Sequence, residues 1–236
     1  MRKIMRNHYF LADIHLSADT PGITAAFRCA LAQIADEQPA AVYILGDLFN
    51  VWLGDDLADD FADSIAASIA ALPCPVYFQH GNRDFLLGEA FAKKAGMTLL
   101  PERHVMDMDG QRILVEHGDL LCIHDRGYLR LRNILRHPAT QALYRRLPTA
   151  LKRRIAHKLR AQSKARGARK NGRITDADHD EALNILKKYQ CERLIHGHTH
   201  RAGEHEKRFV LGDWSDTGGE VLQYRDGVWR LARYPQ

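Results

Sequence analysis

Five short apolar runs in this chain each end in aspartate, histidine or asparagine residues. The clearest is residues 42–45, which has the length and composition of a strand buried on both faces and is followed by Gly46 and Asp47. The glycine permits a sharp turn, which delivers the aspartate to the carboxyl end of the strand. Ligands of α/β sheets bind at that edge. The repeated pattern therefore predicts an α/β fold whose strand ends meet at one polar site.

The other four strand ends carry the same residue types. They are Asp13 and His15 after residues 8–12, Asn82 after 75–79, His117 after 112–116, and His198 and His200 after 193–195. Because side chains alternate along an extended strand, we expect Asp13 and His15 to point the same way, and His198 and His200 likewise. Such pairs form partial chelates for a divalent ion. For each cluster alone, a turn, a helix cap or a surface histidine remains an alternative interpretation.

Taken in order, these clusters resemble the motifs of a known family. The series Asp13-x-His15, Gly46-Asp47-x-x-Asn50, Gly81-Asn82-Arg83-Asp84, His117 and Gly197-His198-Thr199-His200 is similar to that of the calcineurin-like metallophosphoesterases. The motifs span nearly the whole chain at spacings that fit strand–helix units. The resemblance implies a four-layer α-β-β-α sandwich of two mixed sheets with a helical cap insertion.

The resemblance also implies a hydrolase that uses two divalent metal ions. One ion would be bound by Asp13, His15, Asp47 and His200, and the other by Asp47, Asn82, His117 and His198. The implied catalytic residues are Asp47, Asn82, Arg83 and His198. Two ions that share a carboxylate lower the pKa of a bound water and neutralise charge on the phosphate. Nitrogen and oxygen ligands without thiolate suit Mn²⁺, but they also accept iron, cobalt or zinc.

Arg83 departs from the usual family motif. Many members have a histidine after the Gly-Asn pair, placed to protonate a leaving alkoxide. Arginine stays protonated and cannot act as that acid, although its planar fork suits phosphate. We therefore expect a leaving group that needs little protonation, such as the phosphate of a pyrophosphate bond. Within the family, Gly-Asn-Arg-Asp implies a substrate in which that bond joins a nucleotide to a lipid.

Charge is segregated along the chain. The net charge is +5, yet residues 126–173 hold sixteen of the 34 basic residues and no acid, which leaves 18 basic against 29 acidic residues elsewhere. Leucine and isoleucine are interleaved with these cations in three predicted helices, residues 128–136, 140–147 and 150–164. We interpret residues 126–173 as a basic amphipathic insertion that binds lipid and an anionic membrane surface. Residues 1–125 and 174–236 then form the metallophosphoesterase core.

The resemblance further implies a set of substrate contacts. They are Asn82, Arg83, Asp125, Ser163, Lys170 and His198. At the position of Gly167 the family usually has a small polar residue that contacts the substrate. The resemblance therefore implies no substrate contact at Gly167.

Composition indicates the compartment. The four cysteines are far apart, without a C-x-x-C pair, which argues against a disulfide framework or a thiolate zinc site. No apolar run approaches the ~18 residues of a membrane span, and the basic N-terminus lacks the apolar region of a signal peptide. We expect a cytoplasmic protein, peripheral on the cytoplasmic face of the inner membrane, with no obligatory protein partner.

Two other functions fit parts of this sequence. A nuclease or cyclic-nucleotide phosphodiesterase of the same family would use the basic segment to follow a phosphate backbone. Against it, that segment offers only Tyr128 and Tyr144 for base stacking, and we expect no nucleic-acid partner. A binding scaffold that has lost its metals is the second alternative. It would fail to bind two manganese ions, whereas this sequence retains every expected ligand.

Overall fold

The computed structural model describes residues 7–155 and 176–235, in which two β-sheets pack face to face between helices. The strands are β1 Asn7–Leu11, β2 Ala41–Ile44, β3 Val76–Phe78, β4 Met97–Leu99, β5 Arg103–Met108, β6 Gln111–Glu116, β7 Arg193–His196, β8 Gly203–His205, β9 Arg208–Val210, β10 Gly219–Arg225 and β11 Val228–Tyr234. The helices are α1 Pro21–Asp36, α2 Asp60–Ala70, α3 Glu89–Lys94, α4 Arg126–Arg136, α5 Pro138–Arg145, α6 with its described residues 149–155, and α7 His179–Tyr189.

Both sheets are mixed. The six-stranded sheet has the order β11-β10-β1-β2-β3-β4. Strands β1 to β4 are parallel to one another, β10 is antiparallel to β1, and β11 is antiparallel to β10. The five-stranded sheet has the order β5-β6-β7-β9-β8, and β6, β7 and β9 are parallel. The prediction of two mixed sheets is confirmed.

Apolar side chains on the facing surfaces of the sheets form the central core. Phe10 and Tyr43 of the first sheet belong to one buried cluster with Ile113, Ile195 and Phe209 of the second. Burying each such side chain stabilises the fold by roughly 1.5–3 kcal/mol. Alternation of inward and outward residues along each strand leaves a second apolar face for the helices.

The outer faces of the sheets are covered by helices. Pro21 occupies the first turn of α1, and apolar residues at helical spacing, such as Phe27 and Ile34, pack with α2 and α3 on the first sheet. On the other side, Ile185 and Leu186 of α7 pack against Leu194 of β7. The layers therefore run α-β-β-α, as predicted.

Parallel strands bring the polar motifs to one edge. Strands β1, β2 and β3 run the same way in the first sheet, as do β6 and β7 in the second. The residues that follow these five strands are the five predicted polar clusters. The prediction that the strand ends meet at one edge is therefore confirmed.

Helices α4, α5 and α6 lie in the predicted insertion. They match the three helices expected there, although α4 begins at Arg126 rather than residue 128 and the remainder of the third prediction lies outside the described residues. Ser163, Gly167 and Lys170 also lie outside them. Among the described helices, none combines the length and apolar character that crossing a membrane requires.

Candidate metal centre

The chain turns sharply after the strands that carry the predicted ligands. Asp13, His15, Asp47, His198 and His200 all have positive φ, between 55° and 68°. This left-handed conformation is uncommon outside glycine and typically costs about 1–3 kcal/mol, which is why it concentrates at functional sites. The sequence predicts that alternation along an extended strand aligns these side chains, and that mechanism is wrong. The left-handed residues turn the chain so that the side chains converge.

One group of donors is formed by Asp13, His15 and His200. Atoms of the three side chains lie within 4.8 Å of one another. His200 Nε2 lies 3.4 Å from His15 Nε2 and 3.5 Å from Asp13 Oδ1. Asp13 Oδ1 and His15 Nδ1 are buried, and neither has a hydrogen-bond partner among the described residues. Because buried polar atoms almost always have one, a carboxylate and imidazoles that converge in this way fit a bound cation.

A second group of donors lies beside the first. Asn82 Oδ1 is 3.1 Å from His117 Nε2 and 2.8 Å from His198 Nδ1. Asp47 lies between the groups, with Oδ1 3.8 Å from His117 Nε2 and Oδ2 3.8 Å from His15 Nδ1. Asp47 therefore faces both groups of donors, with one carboxylate oxygen toward each.

Burial sets the protonation states of the side chains in this centre. Burial lowers the pKa of His15 to about 3 and that of His198 to about 4, so both imidazoles are neutral at pH 7 and have free lone pairs. Burial also raises the pKa of Asp47 to about 7 in the metal-free chain. A charged Asp47 is thus poorly stabilised by the protein alone, and a cation at this place would stabilise it.

Arg83 lies directly beside Asp47. Its backbone N–H donates to Asp47 Oδ1 at 2.8 Å, and its Nε lies 3.5 Å from Asp47 Oδ2. Nη1 donates to Asn50 Oδ1 at 2.8 Å, which orients the guanidinium. Asp125, a predicted substrate contact, accepts a hydrogen bond from the N–H of Tyr128 and caps the start of α4.

Asp84 joins two of the loops that carry ligands. This buried carboxylate accepts hydrogen bonds from the N–H groups of Gly81, Leu48, Asp47 and Phe49 at 2.8, 2.7, 3.3 and 3.4 Å. Burial raises its pKa, while these N–H groups favour its charged form. The sequence placed Asp84 in a motif without indicating this function, because the contacts depend on how two loops meet.

We expect Asp84→Asn to destabilise the protein. The new amide N–H₂ would face backbone donors, and the loss is about 2 kcal/mol. For a chain of this size that corresponds to a fall in Tm of ~6 °C by thermal unfolding. Asp63→Asn is the control, since within the described residues the side chain of Asp63 makes only a partly exposed ion pair with Lys94. Equal Tm values for the two variants would contradict this function of Asp84.

The chain belongs to the calcineurin-like phosphoesterases. Its residues 8–202 match the family model described as Calcineurin-like phosphoesterase, which covers most of the chain. Enzymes of this family are hydrolases that use divalent metal ions, and the two donor groups at the strand ends fit that chemistry.

The chain is also similar to particular proteins. Proteins named UDP-2,3-diacylglucosamine hydrolase from Aeromonas hydrophila and Escherichia coli are 44% and 43% identical to it. The first alignment covers 95% of this chain and 97% of the relative, and the second covers 96% and 98%. A dimetal phosphatase from Danio rerio has a similar fold, with a TM-score of 0.53 and 14% identity over 97% of this chain and 99% of that one.

Proposed function

We propose that this chain hydrolyses the pyrophosphate bond of UDP-2,3-diacylglucosamine, a step of lipid A biosynthesis. The products are UMP and 2,3-diacylglucosamine 1-phosphate, known as lipid X. Support comes from the relatives that carry the name of this activity and are 43–44% identical over nearly the full chain. The feature that carries the proposal is Arg83 beside the shared carboxylate Asp47, where an acid for an alkoxide leaving group would otherwise stand.

The proposed ligands follow the two donor groups. Asp13, His15, Asp47 and His200 hold one ion, and Asp47, Asn82, His117 and His198 hold the other. Mn²⁺ is the proposed ion because the donors are imidazole, carboxylate and amide groups. Bound there, two such ions supply a water of lowered pKa and neutralise charge on the phosphate.

The protein side chains position the pyrophosphate. Asn50 binds one arm of the Arg83 guanidinium, and the remaining N–H groups bind oxygens of the leaving phosphate. Attack of water on one phosphorus breaks the bridging P–O bond and gives two phosphate monoesters. Asn82 and His198 contact the substrate as well as the metal, and Asp125, Ser163 and Lys170 complete the proposed contacts.

The insertion, residues 126–173, is the proposed lipid-binding cap on a core formed by residues 1–125 and 174–236. Five large apolar side chains are exposed in the described part of the chain, and three of them, Ile134, Leu143 and Leu151, lie on α4, α5 and α6. Apolar exposure beside many cations suits acyl chains and the anionic cytoplasmic face of the inner membrane. Binding to anionic vesicles that is released by high salt would support this location, and no binding to such vesicles would contradict it.

The deciding experiment compares two substrates in the presence of Mn²⁺. One is UDP-2,3-diacylglucosamine, followed by release of UMP, and the other is bis-p-nitrophenyl phosphate, a generic diester. Faster turnover of the lipid nucleotide by at least a hundredfold in kcat/KM supports the proposal. Turnover of the diester alone would retain the metal centre and reject the lipid substrate.

We expect Mn²⁺ binding to weaken as the pH falls. Asp47, whose pKa is raised by burial to about 7, must lose its proton before it binds a metal ion, and so must His117 and His200, whose pKa values are raised by neighbouring carboxylates against the effect of burial. Below pH 7 protons therefore compete with Mn²⁺, and the apparent Kd rises at least tenfold per pH unit. Calorimetric titrations between pH 5.5 and 8.5 measure this slope. A Kd independent of pH would show that none of these groups binds the ion.

A further inference from the structure

Three polar side chains on one face of α4 point toward the core. Tyr128, Arg132 and Arg136 are four residues apart, so they form one stripe along the helix. Arg132 is only 7% exposed, and the side chain of Arg136 is 16% exposed. Buried arginines at successive turns are unusual on a helix that is proposed to cover a lipid, and a buried guanidinium needs acceptors to pair with.

Arg132 contacts the loop that follows β6. Its Nε donates to Asp119 Oδ2 at 2.6 Å, and its Nη2 pairs with Glu102. Asp119 is buried and stands two residues after the proposed ligand His117. The hydroxyl of Tyr128 donates to the same oxygen of Asp119. Two donors from α4 thus fix this carboxylate in place.

Arg136 contacts the loop that follows β3. Its Nη2 donates to the carbonyl oxygen of Gly81 at 2.8 Å, and Gly81 directly precedes the proposed ligand Asn82. Nη1 pairs with Glu102 at 3.0 Å, and the guanidinium carbon lies 5.7 Å from the ring centroid of Phe85. The guanidinium therefore joins the helix to both sides of the Asn82 loop.

Tyr128 contacts the third loop. Its ring stacks on His198 with centroids 6.1 Å apart and an interplanar angle of 29°. The stripe on α4 thus reaches the loops of Asn82, His117 and His198, which together form one half of the proposed metal centre. Groups that contact the metal ligands without binding the ion themselves typically change metal affinity by about 10–100-fold when they are removed.

We propose that Arg132 and Arg136 are positioning residues that hold the Asn82, His117 and His198 loops in the geometry for the second metal ion. This inference rests on the proposed two-metal site and assigns α4 a function in addition to lipid binding. The insertion then affects metal occupancy, and through it the hydrolysis of substrates that carry no lipid.

The test measures Mn²⁺ binding to full-length, chelator-treated protein by isothermal titration calorimetry. The variants are Arg132→Gln and Arg136→Gln. Arg130→Gln is the matched control, because Arg130 lies on the same helix, is exposed, and makes no hydrogen bond or ion pair within the described residues. We expect one of the two Mn²⁺ sites to weaken at least tenfold in both test variants, while the other site changes less than twofold and the control binds as the wild type does.

Activity toward bis-p-nitrophenyl phosphate provides a second readout. In both test variants it should fall at low Mn²⁺ and recover as Mn²⁺ is raised. Because Mn²⁺ also stabilises the folded state, far-UV circular dichroism of the metal-free Arg136→Gln variant must match that of the wild type at the assay temperature, which excludes a loss of fold as the cause. Arg132→Gln leaves the buried Asp119 with only the more distant Arg136 guanidinium, whose Nη2 lies 3.9 Å from Asp119 Oδ2, so this variant is sensitive to misfolding. Arg136→Gln decides in that case, because Arg132 still pairs with Asp119 and Glu102 in this variant and Gly81 loses a donor only to its neutral carbonyl.

Two results would overturn the inference. If Arg136→Gln binds two Mn²⁺ ions with wild-type affinity, the stripe does not position the ligands. If the wild-type protein binds fewer than two ions, the proposed metal centre is wrong and this inference fails with it. The wild-type titration thus distinguishes the two failures.

Discussion

Asp47→Asn is expected to reduce the release of UMP from UDP-2,3-diacylglucosamine by at least a thousandfold. Asp47 lies between the two donor groups, with one oxygen facing His15 and the other facing His117. An asparagine would offer one weak, neutral acceptor where the two proposed ions would share a charged carboxylate, so we expect both proposed sites to lose affinity. The measurement is the steady-state rate with saturating Mn²⁺, and Asp36→Asn, an exposed acid at the end of α1, serves as the control.

The same substitution should stabilise the metal-free protein at high pH. Burial raises the pKa of Asp47 from its ordinary value near 4 to about 7 in the folded chain. The stability that the protonated carboxyl provides is complete below pH 4 and is lost as the pH rises through 7, because the folded state must then hold a buried charge. Asp47→Asn removes this loss. We expect its Tm to exceed that of the wild type at pH 8 and to equal it at pH 4.

This pair of effects separates function from folding. An inactive variant that is more stable than the wild type has not lost activity through unfolding. If Asp47→Asn retained a tenth of the wild-type rate, Asp47 would not be the shared ligand. If the Tm of the metal-free variant were lower than that of the metal-free wild type at pH 8, groups of the protein would already stabilise the charged carboxylate without a metal ion.

Arg83→Met is expected to lower kcat for the lipid nucleotide by about a hundredfold to a thousandfold. That is the usual effect of removing one group that stabilises charge in a transition state. The unbranched methionine keeps much of the side chain's length, and the backbone N–H that donates to Asp47 remains. Two Mn²⁺ ions should still bind, which calorimetry can verify in the same sample.

Asn50→Ala tests whether the position of the Arg83 guanidinium matters in addition to its charge. Arg83 Nη1 donates to Asn50 Oδ1, so the alanine variant releases the side chain without removing its charge. We expect a fall in kcat of less than tenfold for this variant. If Arg83→Met instead raised KM and left kcat unchanged, Arg83 would bind substrate and transition state equally and would not stabilise the leaving phosphate.

The structure changes the interpretation of the basic insertion. The sequence predicts that its cations meet lipid and an anionic surface, which remains a proposal for those that are exposed. Lys152, however, is buried and pairs with Asp56 at 2.6 Å. Arg132 and Arg136, likewise, bind acids or carbonyls of the core. Part of the charge segregation along the chain is therefore used to attach the insertion to the acidic core.

Several elements could not be predicted from local sequence. Strands β4 and β8 contain three residues each and, unlike the equally short β3, are mostly half-buried or exposed, so no apolar run marks them. Helix α3 contains six residues, which is too short for a helical period to be recognised. Strand β5 was missed because its residues are mostly half-buried and mix charged with apolar types. By contrast, α1 carries a clear local signal, since a proline stands at its start and apolar residues follow at helical spacing.

The order of residue types along the chain determined the α/β class and the set of candidate ligands. Buried strands and helices impose local patterns, and the polar residues follow five such strands directly. Only the tertiary structure decided how these residues meet. The left-handed turns at Asp13, Asp47 and His198, the Asp84 clamp and the α4 stripe join segments that lie far apart in sequence. Such contacts depend on packing and backbone geometry, because neither side of a long-range contact carries a local signal of the other.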